Sequence, residues 1–132
     1  MSQENVEIVH SVYEALNRRD WDAVFRDAHP DFVVHLPESG MNVGSFQGRD
    51  GLMKLFESYS EAFDVFHIEP EKFFEADDQV VVFVHIPARG RGSGAEVGLR
   101  SAHVWTMRAR KAAGLEVFPE RQEALEAAGL SE

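Results

Sequence analysis

The stretch EVGLRSAHVWTMR, Glu96–Arg108, decides how the rest of the chain can be arranged. Its side chains alternate along its length, which predicts a long β-strand with two distinct faces. One face carries Ser101, His103, Trp105 and Met107. Polar and aromatic side chains on the inward face of a curved sheet favour the wall of a pocket over a dry core. We therefore expect this strand to carry much of any small-molecule site.

Length and composition predict a single domain over residues 1–132. Hydrophobic residues make up 44% of the chain, an ordinary share for a folded protein, so disorder is not expected. Ten phenylalanines accompany two tyrosines and two tryptophans. This aromatic set suits a core wrapped around an apolar cavity, and it suits equally well a core that phenylalanine simply fills.

Charge and cysteine content exclude several classes of protein. The 13 basic and 23 acidic residues give a net charge of −10, which repels nucleic acids and anionic membranes. The absence of cysteine excludes disulfides and thiolate metal sites. No apolar run approaches the roughly 18 residues of a membrane helix, and the start MSQENVEIVH is too acidic for a signal peptide. We expect a soluble, cytoplasmic protein with neither a nucleic-acid nor a membrane partner.

The first half of the chain predicts three helices and one strand. Apolar residues recur at helical spacing between positions 6 and 16, and Asp20 is suited to cap a short second helix over 21–27. Residues 32–36 form a first strand that Pro37 ends, and a short strand follows at 45–46. A third helix opens at 48–51, with an apolar stripe made of Leu52, Leu55, Phe56, Tyr59 and Phe63.

In the second half the period of the hydrophobic pattern switches to two. Strands are predicted over 66–76, 79–88, Glu96–Arg108 and 115–118, and Pro119 begins a C-terminal helix. Helices gathered on one side of a curved antiparallel sheet make an α+β fold.

Four stretches, taken in order, resemble a known superfamily. They are VYEALNRRDWDAV (12–24), HPDFVVHLP (29–37), GRDGLMKLF (48–56), and the ending HVWTMR…GLEVFPERQEALEAAGL (103–130). The chain resembles the nuclear transport factor 2-like superfamily, and within it the SnoaL-like and ketosteroid isomerase-like proteins. The resemblance implies a cone-shaped, cystatin-like α+β barrel, in which a curved antiparallel sheet wraps around N-terminal helices and encloses a pocket. It also implies a frequent homodimer through the outer sheet face.

The resemblance leaves the function open, because these families include isomerases, polyketide cyclases, epoxide hydrolases, dehydratases and pure ligand binders. Ketosteroid isomerases use a carboxylate base, with a tyrosine and a protonated carboxylic acid as oxyanion donors. By alignment the tyrosine falls at Val12, with Tyr13 beside it, and the base falls at Leu36. The acid falls at His103, or at Ala102 if the strand register slips by one residue, which would turn His103 away from the pocket. The familiar isomerase mechanism is therefore not expected.

His103 is the main candidate for polar work in the pocket. Its ring can accept a proton near pH 7 or donate a hydrogen bond to a carbonyl, although a histidine satisfied within the core would show the same pattern. The candidates for a second catalytic group are His35 and Glu38. His35 points outward if the more apolar face of its strand points inward, and Glu38 follows Pro37 in a loop. The candidate substrate-binding residues are Trp105, Ser101, Tyr59, Tyr13, Phe56 and Met107.

Metal and cofactor sites are not predicted, because the histidines are scattered over different elements without ligand spacing. We expect a SnoaL-like protein that binds a small hydrophobic molecule. Its chemistry would be cofactor-independent acid–base catalysis on a carbonyl, enol or epoxide. The alternatives are a ligand binder without catalysis and an interaction module that dimerises through the outer sheet face.

Overall fold

The computed structural model describes residues 2–37 and 43–130, and it has the α+β architecture that the sequence predicts. Its helices are α1 (Ser2–Arg18), α2 (Trp21–Val24), α3 (Gly48–Ala62) and α4 (Arg121–Ala127). Its strands are β1 (Ala28–Leu36), β2 (Gly44–Gln47), β3 (Phe63–Phe66), β4 (Glu69–Ala76), β5 (Gln79–Gly90), β6 (Glu96–Arg108) and β7 (Lys111–Phe118).

The strands form one strongly curled, half-barrel sheet in the order β2-β1-β7-β6-β5-β3, with β4 also paired to β5. Neighbouring strands run antiparallel except for β1 and β7, which are parallel. The sheet is therefore mixed, where the sequence predicted an antiparallel one. A parallel pair needs a long crossover connection, and the chain between β1 and β7 provides it.

The strand predicted over 66–76 begins later, and an additional strand precedes it. β4 starts at Glu69, and β3 shares only Phe66 with the predicted segment. The two strands pair with opposite halves of β5. At the break, the side-chain amide of Asn17 donates to the carbonyl of Ile68 at 2.8 Å and accepts from its N–H at 2.9 Å. The Arg19 guanidinium donates to the carbonyl of Phe66 at 3.2 Å. Asn17 in the last turn of α1, and Arg19 just after it, thus satisfy the backbone groups that are left unpaired between β3 and β4.

The core has two layers separated by the sheet. On the concave side, Val9, Val12, Tyr13 and Leu16 of α1 pack against the sheet together with α3. Their spacing of three and four residues places them on one helix face. On the convex side, α4 covers a smaller cluster, which consists of Val81, Phe83, Ala102, Val104, Ala124 and Leu125. The concave layer is the larger one, and it holds the candidate site.

Candidate functional site

A cavity of about 90 Å³ lies between the concave face of the sheet and the helices α1 and α3. Among the described residues that line it, only Tyr13, Tyr59, His103 and Trp105 carry a polar side-chain atom. The rest of the lining consists of aliphatic side chains and of Phe32, Phe56 and Phe66, with one alanine. The site is therefore an apolar enclosure with a few polar atoms on its wall.

The strand register places His103 on the concave face. His103 pairs with Val82, and Ala102 pairs with Phe83 on the opposite face. Because side chains alternate along a strand, His103 and Trp105 both face α1, whereas Ala102 faces α4. Of the two alignments that the sequence left open, the structure has the one that puts the histidine in the pocket.

Three buried side chains form a continuous hydrogen-bonded chain at this wall. The indole N–H of Trp105 donates to the hydroxyl oxygen of Tyr13 at 2.8 Å. The same hydroxyl lies 2.7 Å from Nδ1 of His103. The exposed fractions are 0% for Trp105, 1% for Tyr13 and 4% for His103. The Tyr13 ring stacks on the imidazole and meets the indole edge-on. Packing and hydrogen bonds together hold the imidazole in one orientation.

The two titratable side chains in this hydrogen-bonded group, Tyr13 and His103, are held in their neutral forms. Burial lowers the pKa of His103 to about 4, because the charged imidazolium would lose its hydration. Burial raises the pKa of Tyr13 well above its usual value, and the hydrogen bond from Trp105 opposes that rise only in part. At pH 7 the wall therefore carries a neutral imidazole and a neutral phenol.

The second ring nitrogen of His103, Nε2, has no hydrogen-bond partner among residues 2–37 and 43–130. None of the described lining residues is a carboxylate, a lysine or an arginine. The described part of the wall can therefore offer hydrogen bonds to a ligand, but it supplies neither a charged acid nor a charged base.

The cavity reaches solvent where its lining residues are only partly buried: Leu36, Tyr59, Phe66, Ile86 and Val117. At this mouth the rings of Tyr59 and Phe66 stack with their centroids 4.3 Å apart. Further along the concave face of β6, Val97 and Leu99 are 44% and 49% exposed. The apolar surface thus continues from the cavity to the outside.

The predicted substrate-binding residues fall into two groups. Tyr13, Phe56, Tyr59 and Trp105 line the cavity beside His103. Ser101 and Met107 share the concave face of β6, but they flank the cavity and are not among its described lining residues. Met107 instead packs in the core.

Of the two proposed second catalytic groups, the structure describes His35 alone, and it does not bring His35 to His103. Val34 and Leu36 of β1 face the cavity, so His35 between them lies on the convex face, where its Nδ1 is 2.7 Å from the Ser45 hydroxyl. Because side chains alternate along β1, His35 faces away from the cavity. The structure therefore contradicts the prediction that His35 and His103 act together as catalytic groups. Glu38 lies outside the described residues.

Tyr13 is a wall residue of the cavity, although it is not the position aligned with the tyrosine of the ketosteroid isomerases. The alignment placed the relatives' tyrosine at Val12, about 100° away around the helix. In the structure Val12 and Tyr13 both line the cavity, because α1 presents a wide buried face. The signal was present in the sequence as the apolar spacing 9, 12, 13, 16, which places both residues on that face.

Within the described ranges, no three histidine, cysteine, aspartate or glutamate side chains come together as a metal-binding group. None of the described helices combines the length and the apolar character needed to cross a bilayer.

Sequence comparison matches residues 9–114 to the family model of the SnoaL-like domain. No curated protein matches the chain at a significant level.

Several solved structures are similar over nearly the whole chain. TerC, co-crystallised with polyporic acid, has a TM-score of 0.79 and 25% identity, and the alignment covers 96% of this chain and 98% of TerC. An NTF2-like protein from Burkholderia thailandensis has a TM-score of 0.79 and 23% identity, with 96% and 98% coverage. A protein with a ketosteroid isomerase-like fold from Catenulispora acidiphila, in complex with trimethylamine, has a TM-score of 0.73 and 16% identity, with 95% and 94% coverage. These likenesses confirm the predicted fold.

Proposed function

This chain belongs to the SnoaL-like domain family, and from that premise we propose that it binds one small, neutral, largely apolar molecule in the cavity beneath β6. The observation that carries the proposal is an apolar cavity whose buried wall holds a neutral histidine, one ring nitrogen of which has no partner among the described residues. Apolar pockets with a small number of placed polar groups are typical of small-molecule sites.

The size of the cavity limits the buried part of the ligand. A cavity of about 150 Å³ lined by apolar side chains holds a benzene molecule, and this one measures about 90 Å³. The enclosed part of the ligand is therefore a small ring or a short branched chain. A larger ligand would extend through the mouth and over Val97 and Leu99, the exposed apolar residues on the same face of β6.

Two of the similar structures hold small molecules, polyporic acid in TerC and trimethylamine in the Catenulispora protein. They support small-molecule binding as the use of this fold here. These two molecules do not identify the ligand of this protein, because the side chains that line its own cavity select that ligand.

Binding is favoured over acid–base catalysis by the chemistry of the wall. A general base needs a free lone pair close to the reacting proton, and no carboxylate is found among the described lining residues. Catalysis stays the second candidate because Glu38 follows Leu36, a residue of the mouth, by only two positions. Exchange of the α-hydrogens of cyclopentanone in D₂O tests it. Protein-dependent exchange that Glu38→Gln abolishes would establish catalysis, and exchange at the buffer rate would leave binding alone.

A matched pair of variants tests the binding site. Ala28 lines the cavity, whereas Ala102 lies on the convex side under α4, and both are buried strand alanines. Ala28→Val adds two methyl groups to the ligand's space, so we expect the affinity for cyclopentanone to fall by about tenfold or more. Ala102→Val adds the same volume elsewhere and should leave the affinity unchanged. NMR titration measures both, and equal affinity in the two variants would contradict the proposed site.

Native mass spectrometry of the purified protein is the direct route to the natural ligand. A bound small molecule that is present in the wild type and absent from Ala28→Val would identify the occupant of the cavity.

We also propose that the chain forms a homodimer through the outer sheet face, as the family resemblance implies. α4 covers only part of that face, and a shallow groove remains beside it, lined in part by Val33, His35, Thr106 and Gly114. Sedimentation velocity at micromolar concentration is expected to show the dimer mass. A monomer under those conditions would contradict the proposal.

A further inference from the structure

The direction of the hydrogen bonds along Trp105, Tyr13 and His103 follows from the chemistry of the three groups. An indole N–H can only donate, so the Tyr13 oxygen accepts from Trp105. The Tyr13 hydroxyl has a single hydrogen to donate, and within the described residues its remaining partner is Nδ1 of His103. The hydroxyl therefore donates to Nδ1.

This arrangement determines the tautomer of His103. A ring nitrogen that accepts a hydrogen bond carries no proton, and a neutral imidazole carries its one proton on the other nitrogen. The proton of His103 therefore lies on Nε2. In the opposite tautomer, Nδ1–H would donate to Tyr13, and the buried hydroxyl hydrogen would be left without an acceptor, which is costly.

Nε2 is the nitrogen that the described protein leaves without a partner, and His103 lines the cavity. The imidazole can therefore offer a ligand a hydrogen-bond donor but no acceptor. A ligand that buries this N–H against hydrocarbon alone leaves the donor unsatisfied, and an ammonium group meets a second donor where it needs an acceptor.

We propose that the cavity selects neutral molecules that carry an acceptor oxygen, a ketone or aldehyde carbonyl, at their buried end, and that Tyr13 is the positioning residue that imposes this choice. This inference rests on the proposed function and adds the class of the ligand to it. Trp105 supports this role of Tyr13. Its indole N–H donates a hydrogen bond to the Tyr13 oxygen, and this keeps the hydroxyl hydrogen directed at His103.

The tautomer can be measured without any ligand. The ¹⁵N chemical shifts of an imidazole distinguish a protonated ring nitrogen from an unprotonated one. We expect His103 at pH 7 to show a protonated Nε2 and an unprotonated Nδ1. In Tyr13→Phe, no described group holds the proton on Nε2, so the two shifts should move toward each other as both tautomers become populated. A proton on Nδ1 in the wild type, or shifts that Tyr13→Phe leaves unchanged, would overturn the inference.

Ligand selectivity is tested with two probes of the same shape, cyclopentanone and methylenecyclopentane, in which a CH₂ group replaces the oxygen. Their water solubilities differ, so the informative quantity is the ratio of their dissociation constants, compared between protein variants. His103→Leu removes the donor, and the preference for the ketone should fall by about tenfold relative to the wild type. His103→Gln keeps an acceptor for Tyr13 and an N–H for the ligand, and it should retain most of the preference.

The possible outcomes separate this inference from the proposed function. If both probes bind in the cavity and the ratio is the same in the wild type and in His103→Leu, the carbonyl preference is wrong while ligand binding stands. If neither probe binds the wild-type protein, the proposed function fails and the ligand class fails with it. The ¹⁵N measurement on the wild-type protein needs no variant. The inference can therefore be overturned even if a variant fails to fold.

Discussion

On β6, His103 faces the helices of the concave layer, whereas its neighbour Val104 faces α4 on the convex side. The two side chains are almost equally buried, with exposed fractions of 4% and 5%. Their surroundings differ in kind. Val104 lies in a cluster of alanine, valine, leucine and phenylalanine side chains. His103 ends a hydrogen-bonded chain and borders a cavity.

The comparison shows that burial by itself does not mark a functional site. On the convex side, Val104 is closely packed among apolar groups. The Arg121 guanidinium lies over Phe83 of this cluster, and its buried Nε has no partner among the described residues, but Arg121 does not line the candidate cavity. On the concave side, the wall of a cavity includes a polar nitrogen that no described residue satisfies, and buried polar groups normally have a partner. Among the described residues, each side therefore has a side-chain nitrogen without a partner, and the cavity bordered by His103 distinguishes the candidate site from the core on the other face of the same strand.

The largest expected effect is on the convex side. Leu125 of α4 is 1% exposed, and Leu125→Ala should lower the free energy of unfolding by about 2–5 kcal/mol, through lost burial and the cavity left behind. The affinity for cyclopentanone should stay within about twofold, because the sheet separates the two layers. Urea denaturation and NMR titration measure the two quantities. A parallel loss of affinity in protein that is still folded would show that the two faces are coupled.

The next effect is the pH dependence of stability that His103 imposes. Its pKa is lowered from the ordinary 6.5 to about 4 in the folded state, so the unfolded chain binds a proton that the folded chain does not. The stabilisation is complete above about pH 6.5 and is lost as the pH falls toward 4. Between pH 7 and pH 5 we expect a loss of about 2 kcal/mol in the free energy of unfolding.

Urea denaturation at several pH values checks this prediction, with His103→Gln as the matched control. The glutamine has no titrating group, so the variant should lose less stability than the wild type over the same interval. Equal losses in the two proteins would mean that His103 is not held neutral by burial. The interval stops at pH 5 because the carboxyls of Asp64 and Glu71, whose pKa values are lowered by hydrogen bonds from arginine partners, titrate further down.

The smallest effect is expected at His35, the candidate that the alternation of β1 places on the convex face. Its ring is hydrogen-bonded to the Ser45 hydroxyl near the surface. His35→Ala should change the free energy of unfolding by no more than about 0.5 kcal/mol, and the affinity for cyclopentanone should not change. The same titration checks this, and a clear loss of affinity would put His35 back among the site residues.

Much of the fold could be predicted because local patterns and global structure agree here. The bounds of β6 match the alternating stretch Glu96–Arg108. Helix α3 begins at Gly48, within the segment where the sequence predicted its start. The break between β3 and β4 could not be predicted, because the signal lies in Asn17, which is distant in sequence and contacts Ile68 only after folding. The parallel pairing of β1 with β7 is equally non-local.

By itself, the sequence determined the order of the elements, the two faces of β6 and the presence of a histidine and a tryptophan on one of them. These follow from side-chain periodicity, which is local. Only the tertiary structure decided that Tyr13 meets both residues, that His35 faces away, and that His103 stays neutral with one nitrogen unpartnered within the described part of the chain. Those facts depend on distances between elements far apart in the chain and on burial, and burial exists only once the sheet has closed around α1.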